Sequence, residues 1–150
     1  METTDKKLRA QLAEILEKNK DAEKGYETAA VNTQHPGLRN FFLKRSNERR
    51  DFNLRLKREL EANFDEMTTE GSFTGSIHRA WMDTKSFFAG NNDAAMLEEA
   101  IRGDQAALEE YEELLGVQHL PIMLDQIIQN HAIKIRTDLE QIKTLEDLIE

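Results

Sequence analysis

The sequence predicts an all-α fold, an antiparallel four-helix bundle with an extra helical segment between its second and third helices. Two observations carry this. Apolar residues recur at helical spacing from one end of the chain to the other. Glu, Leu and Ala are the commonest residues, while 150 residues include only two prolines and seven glycines, a composition that favours helix. The length suits one domain, residues 1–150, with room for a buried core.

The first helix is predicted from about Asp5 to Asn32. Leu8, Leu12, Ile15, Asn19, Ala22, Tyr26 and Ala29 alternate by fours and threes, so they share one face, with Asn19 its polar member. His35-Pro36-Gly37 ends that helix, and the proline opens the next. The second helix is expected from about Leu38 to Phe64. Its apolar face carries Phe41, Phe42, Phe52, Leu56, Leu60 and Phe64, interrupted by Arg45 and Glu48. Lys44, Arg49, Arg50, Lys57 and Arg58 are assigned to a basic opposite face. A polar stretch from Glu66 to Gly75 leads to a third region read as two pieces. Ser76 to Ala89 holds Ile77, Trp81, Phe87 and Phe88. After Gly90-Asn91-Asn92-Asp93, which supplies a stop and a new N-cap, helix resumes to about Leu115. Leu97, Ile101, Asp104, Leu108, Tyr111 and Leu115 form its seam, and Gly116 closes it. Pro121 stands where a first-turn proline belongs, and the fourth helix is expected to reach about Leu148, with Leu124, Ile127, Ile128, Ile135, Leu139 and Ile142 inward.

Bulk properties narrow the function. The absence of cysteine excludes a disulfide framework, a thiolate metal site and a cysteine nucleophile. No basic stretch followed by an apolar run opens the chain, and no membrane-length apolar segment exists, so a cytoplasmic protein with no membrane partner is expected. A net charge of -9 would repel phosphates, which argues against a nucleic-acid partner. No Gly-rich phosphate loop, Ser/His/Asp set or nucleophile elbow is present.

Two segments repeat. Asn19-Lys20-Asp21-Ala22-Glu23-Lys24-Gly25-Tyr26-Glu27 matches Asp104-Gln105-Ala106-Ala107-Leu108-Glu109-Glu110-Tyr111-Glu112, each with a polar residue, Ala three later, and Tyr-Glu seven and eight later. First and third helices that resemble each other suggest two related hairpins, the symmetry of ferritin-like bundles. Further stretches are Glu48-Arg49-Arg50, His78-Arg79-Ala80-Trp81-Met82, Leu97-Glu98-Glu99-Ala100-Ile101-Arg102-Gly103-Asp104 and His131. With Lys24-Gly25-Tyr26-Glu27 and Tyr111-Glu112, they make the chain resemble, over roughly residues 5 to 140, the bacterial ferritin-like four-helix-bundle family classed as a domain of unknown function. The resemblance implies a fold and no particular activity.

A ferritin-like bundle raises the question of a di-iron site, which needs a Glu from each of two helices and a Glu-x-x-His pair from each of the other two. Hard iron asks for oxygen ligands, and bridging carboxylates offset the charge of two adjacent ions. Here the first-helix position falls on Asn19, a neutral amide. Glu48 stands correctly, with Asp51 in place of the histidine. The repeat puts Asp104 in the third helix, and His131 in the fourth has Ile128 where the Glu belongs. The candidate metal ligands are therefore Glu48, Asp51, Asp104 and His131, a degenerate set. The competing reading is a polar layer with Asn19, Tyr26 and Tyr111 inside, in which Glu48 pairs with Arg45 or a tyrosine hydroxyl; such layers set helix register.

Other features have simpler readings. Trp81 on the stripe Ile77, Trp81, Phe88 reads as core, with Arg79 over an aromatic face, and His35 as a turn residue. The basic second helix and the acidic residues Glu98, Glu99, Glu109, Glu110, Glu112 and Glu113 read as solvated faces, or as faces that meet in a homodimer. The expectation is a non-enzymatic interaction or stress-associated protein without a cofactor. The rival is a divalent-metal oxidoreductase or iron-binding protein.

Overall fold

A computed structural model describes residues 2–63, 92–117 and 120–148 of the chain. Among these the fold is all-helical, with four α-helices and no strand: α1 Glu2–Asn32, α2 Pro36–Asn63, α3 Asp93–Leu115 and α4 Ile122–Gln141, followed by a 3-10 turn, Leu145–Asp147. The predicted segment Ser76 to Ala89, with Trp81, Phe87 and Phe88, lies outside the described residues, as does the polar stretch before it. No described helix is long and apolar enough to cross a membrane.

The helix ends follow local chemistry. The α1–α2 corner is closed by side chains: His35 Nδ1 accepts from Leu38 N at 3.0 Å, and Arg39 donates to the carbonyls of Ala30 and Thr33 at 3.3 and 2.9 Å. These occupy backbone groups that a helix terminus leaves without partners. Helix α2 starts at Pro36, two residues before the predicted Leu38, because a first-turn proline has no N–H that needs an intrahelical acceptor. Asn92 caps α3, its Oδ1 accepting from Ala95 N at 2.8 Å. Helix α4 stops at Gln141 and not at Leu148. Asp147 Oδ2 accepts from Lys143 N and Thr144 N at 2.9 and 3.0 Å, so a side chain there competes with helix propagation and starts a 3-10 turn.

Cross-helix pairs fix the packing. Along α1 and α2, Arg39 meets Ala30, Ser46 meets Glu23 and Glu27, and Arg49 meets Asn19. Residue numbers rise on one helix as they fall on the other. Arg50 clasps Glu23 and Glu27 at 3.1 and 2.9 Å. Lys18 joins α1 to Glu110 of α3 at 3.0 Å, and Arg136 joins α4 to Glu112 at 3.4 Å, so part of the acidic run on α3 is answered within the chain.

The core is in two parts. One gathers Leu8, Leu12 and Leu16 of α1, Phe52, Leu56 and Leu60 of α2, Leu114 of α3, and Leu124, Ile128 and Ile135 of α4. The other gathers Tyr26 and Ala29 with Leu38, Phe41, Phe42, Met96, Leu97 and Ala100, and the post-α4 residues Ile142, Leu145 and Leu148 pack on it. Between the two lies a layer of buried polar side chains.

Candidate functional site

That layer takes pairs two turns apart on three of the helices: Asn19 and Tyr26 on α1, Asp104 and Tyr111 on α3, His131 and Asp138 on α4. Seven residues is close to two helical turns, so each pair points to the same side. Helix α2 contributes Arg45 and Arg49, one turn apart, with Glu48 beside them. Asn19, Arg45, Arg49, Asp104, His131, Asp138 and both tyrosines are all buried.

The internal repeat acquires a physical meaning here. Tyr26 of α1 donates its hydroxyl to Asp104 Oδ1 of α3 at 3.0 Å, while Tyr111 of α3 donates to Asn19 Oδ1 of α1 at 3.1 Å. Each tyrosine thus reaches the polar residue that opens the other copy of the repeat.

Two guanidiniums sit at the centre. Asp104 Oδ1 accepts from Arg49 Nη2 at 2.7 Å, and Arg45 Nη2 lies 2.6 Å from the same oxygen as an ion pair outside hydrogen-bonding geometry. Arg45 Nη1 donates to Glu48 Oε1 at 3.0 Å and to Asp138 Oδ2 at 3.2 Å. Arg45, fully buried, therefore touches carboxylates from α2, α3 and α4. Arg49 Nη1 donates to Asn19 Oδ1. These two cations face three carboxylates, and Lys44 Nζ, 3.7 Å from Asp138 Oδ1, brings a third positive charge from the more exposed side, the balance that buried charge requires. Burial alone would lower both arginines' pKa. For Arg45 the adjacent Asp104 more than offsets this, and for Arg49 the phenolic groups and Asp104 do, so both are held above the ordinary guanidinium range. Burial, with Asp104 adding for Tyr26, pushes Tyr26 and Tyr111 up to about 12.

Donor and acceptor counting fixes the state of His131. Arginine can only donate, so the Asn19 atom facing Arg49 is the oxygen; Asn19 Nδ2 donates to Ile15 O at 2.8 Å. That oxygen can only accept, so Tyr111 spends its one proton on it. His131 Nδ1, 3.0 Å from the Tyr111 oxygen, must then carry the hydrogen and donate. Burial first, then Arg49, Arg45 and Lys134, lower the His131 pKa far below the ordinary imidazole value, so the ring is neutral. Nε2 is left as a bare lone pair, buried and without a hydrogen-bond partner.

The structure separates the four candidate metal ligands. Asp104 is enclosed by two arginines and a tyrosine. The Glu48 side chain, 12 % exposed, is tied to Arg45. His131 lies in the layer but is turned to Tyr111. Asp51 is 56 % exposed and pairs with Arg55 Nε at 3.2 Å, so it does not join the interior group. Among the described residues no three His, Asp or Glu side chains are arranged to hold a metal ion. The interior does not fit two divalent ions, because Arg45 and Arg49 already deliver two positive charges to the carboxylates that would bind them.

The basic outer face expected of α2 does not include Arg49, which is 3 % exposed. The spacing Phe42, Arg45, Arg49, Phe52, Leu56 runs by threes and fours, which puts Arg49 on the apolar seam. Its charge, not its position, suggested otherwise. Asp138 also lies inside, two turns beyond His131 and one turn beyond Ile135, a spacing in the sequence that signals its place in the layer.

The chain matches no curated protein and no solved structure. One family does match, over residues 7–116, a span that carries most of α1, all of α2 and α3, and every member of the polar layer except His131 and Asp138. The chain belongs to that family, described as Domain of unknown function (DUF2383).

Proposed function

We propose that this protein is a non-enzymatic, cytoplasmic interaction or stress-associated protein, built as a ferritin-like antiparallel bundle with a degenerate metal site. The observation that carries the reading is Asp104 enclosed by Arg45 and Arg49. In a di-iron bundle the metals neutralise inward carboxylates. Here guanidiniums from the chain itself do so, and they cannot exchange, oxidise or bind substrate oxygen. The reciprocal tyrosine bonds between α1 and α3 support two related hairpins, and the opposed numbering of the α1–α2 contacts supports the antiparallel arrangement. Exposed bases Lys57 and Arg58 on α2 and exposed acids Glu98, Glu109 and Glu113 on α3 favour a homodimer in which unlike charges meet.

The alternative, a metal-dependent oxidoreductase or iron-binding protein using Glu48, Asp51, Asp104 and His131, requires Asp104 to exchange two buried arginines for metal. Anaerobic incubation with Fe(II), desalting and metal analysis decide between them. The expected result is no uptake of an iron pair and no rapid ferrous oxidation on admitting oxygen; stoichiometric iron lost in Asp104→Asn would overturn the reading. Sedimentation equilibrium at several salt concentrations tests the dimer, which should weaken as screening shortens the Debye length to about 3 Å near 1 M salt. A monomer at high protein concentration in low salt would remove the dimer from the proposal.

A further inference from the structure

One group in the layer has an unmet valence. His131 Nδ1 donates to Tyr111, which is held by Asn19, which is held by Arg49. Phe52 packs against the imidazole with ring centroids 4.5 Å apart. The other ring nitrogen, Nε2, is buried and meets no hydrogen-bond donor. An acceptor buried in that way is costly. His131 also lines a groove of about 290 Å³ between α2 and α4. The two nitrogens of an imidazole point in nearly opposite directions, so with Nδ1 turned inward to Tyr111 the Nε2 edge is the one on the groove side. The charges of the groove cancel: Glu48 and Asp51 are matched in its lining by Arg55 and Lys134. Each carboxylate moreover already rests on a guanidinium, Glu48 on Arg45 at 3.0 Å and Asp51 on Arg55 at 3.2 Å. Neither a free cation nor a free anion is favoured there. The rest of the lining is apolar Phe52, Ile127 and Ile133, with the amide of Asn130.

We infer that the α2–α4 groove binds a small uncharged aromatic molecule carrying an N–H or O–H donor, which meets His131 Nε2 while the ring lies against Phe52, Ile127 and Ile133. The donor follows from the imidazole. The chain through Tyr111 and Asn19 keeps the ring hydrogen on Nδ1, so Nε2 can only accept. The ring is neutral, so it offers a lone pair and not a positive charge. The aromatic body follows from the apolar walls, since a rigid ring buries much area and loses little freedom. The size follows from the volume: 290 Å³ stands at the low end of the roughly 300–1,000 Å³ of small-molecule sites, which suits one or two rings. Asn130, Ile133 and Lys134 at the rim are exposed, and such side chains change rotamer readily, so a ligand reaches the nitrogen without backbone movement. The site goes beyond the function proposed above, since it leaves Asp104 and its arginines untouched.

The test titrates the full chain with indole and with 1-methylindole, two probes of similar shape of which only the first carries an N–H. Indole should bind saturably at one site. The methylated probe should bind about tenfold or more weaker, because it leaves the buried acceptor unpaired. In nitrogen NMR of labelled protein the His131 Nε2 resonance should move with indole while Nδ1 keeps its proton. Ile133→Glu, at a position 52 % exposed where the fold tolerates change, should weaken indole about tenfold by setting a charge against the ring. Absence of saturable indole binding overturns the site. Equal binding of the two probes does so too, since the imidazole would then play no part. Binding unchanged in Ile133→Glu, or an Nε2 resonance that stays still, would put indole elsewhere on the chain and equally overturn it. Uptake of an iron pair would overturn the arginine-filled interior instead, so the two readings fail separately.

Discussion

Replacing Asp104 with Asn is the sharpest test of the buried layer. The substitution keeps shape and removes the one carboxylate bonded to Arg49 among the described residues, leaving the neutral Asn19 amide. Arg45 keeps Glu48 and Asp138. One guanidinium, 3 % exposed, is thus left buried without a counter-charge. Removing one partner of a buried ion pair costs about 3–5 kcal/mol, a fifth or more of the roughly 5–15 kcal/mol that holds a typical domain together. Arg49→Met should cost less, about 1–2 kcal/mol, because Asp104 still has Arg45 and the Tyr26 hydroxyl. The double variant removes both charges together, and its cost should fall short of the sum by about 2 kcal/mol or more, the coupling expected of residues in one network. Urea unfolding followed by circular dichroism measures all three, with an unchanged slope confirming that the same surface is exposed. Strict additivity, or an Asp104→Asn variant within about 1 kcal/mol of the parent, would refute the idea that these charges hold one another.

Two further outcomes concern protons. The chain has two tyrosines, both buried and both raised to about 12, so native protein should show no tyrosinate ultraviolet absorbance near pH 10.0, where unfolded tyrosine titrates; a half-titrated signal there would contradict the burial of both hydroxyls and their bonds to Asp104 and Asn19. Between that value and about 12 the unfolded chain holds fewer protons than the folded one, so stability should fall as pH rises. His131 has the opposite sense. Its folded pKa lies below 6.5, so under that pH the unfolded chain binds the extra proton and stability should fall on acidification. One such proton contributes a slope of up to about 1.4 kcal/mol per pH unit, and His131→Gln, measured with chelator present, should remove that increment; an identical slope in the variant would show that His131 charges freely in the fold.

How much of this was legible beforehand differs between elements. Helical period determined α1, α2, α3 and the start of α4 to within a few residues, because a 3.6-residue turn leaves the same imprint on any buried face. The same period placed Asn19, Tyr26, Asp104 and Tyr111 on inward seams, and the repeat tied them together. The sequence also determined that cysteine chemistry is absent. Three things were decided only by tertiary structure. The early end of α4 depends on Asp147 capturing backbone N–H groups four and three residues back, a competition that hydrophobic pattern does not register. The burial of Arg49 depends on Asp104 arriving from a helix 55 positions away, since an arginine goes inside only where a counter-charge meets it. The tautomer of His131, and with it the bare nitrogen facing no partner, depends on a hydrogen-bond chain through all four helices. Pattern along the chain determines which face each helix buries. Which charges neutralise one another is settled only when four faces meet, because electrostatic pairing is a property of distance in space and not of spacing along the sequence.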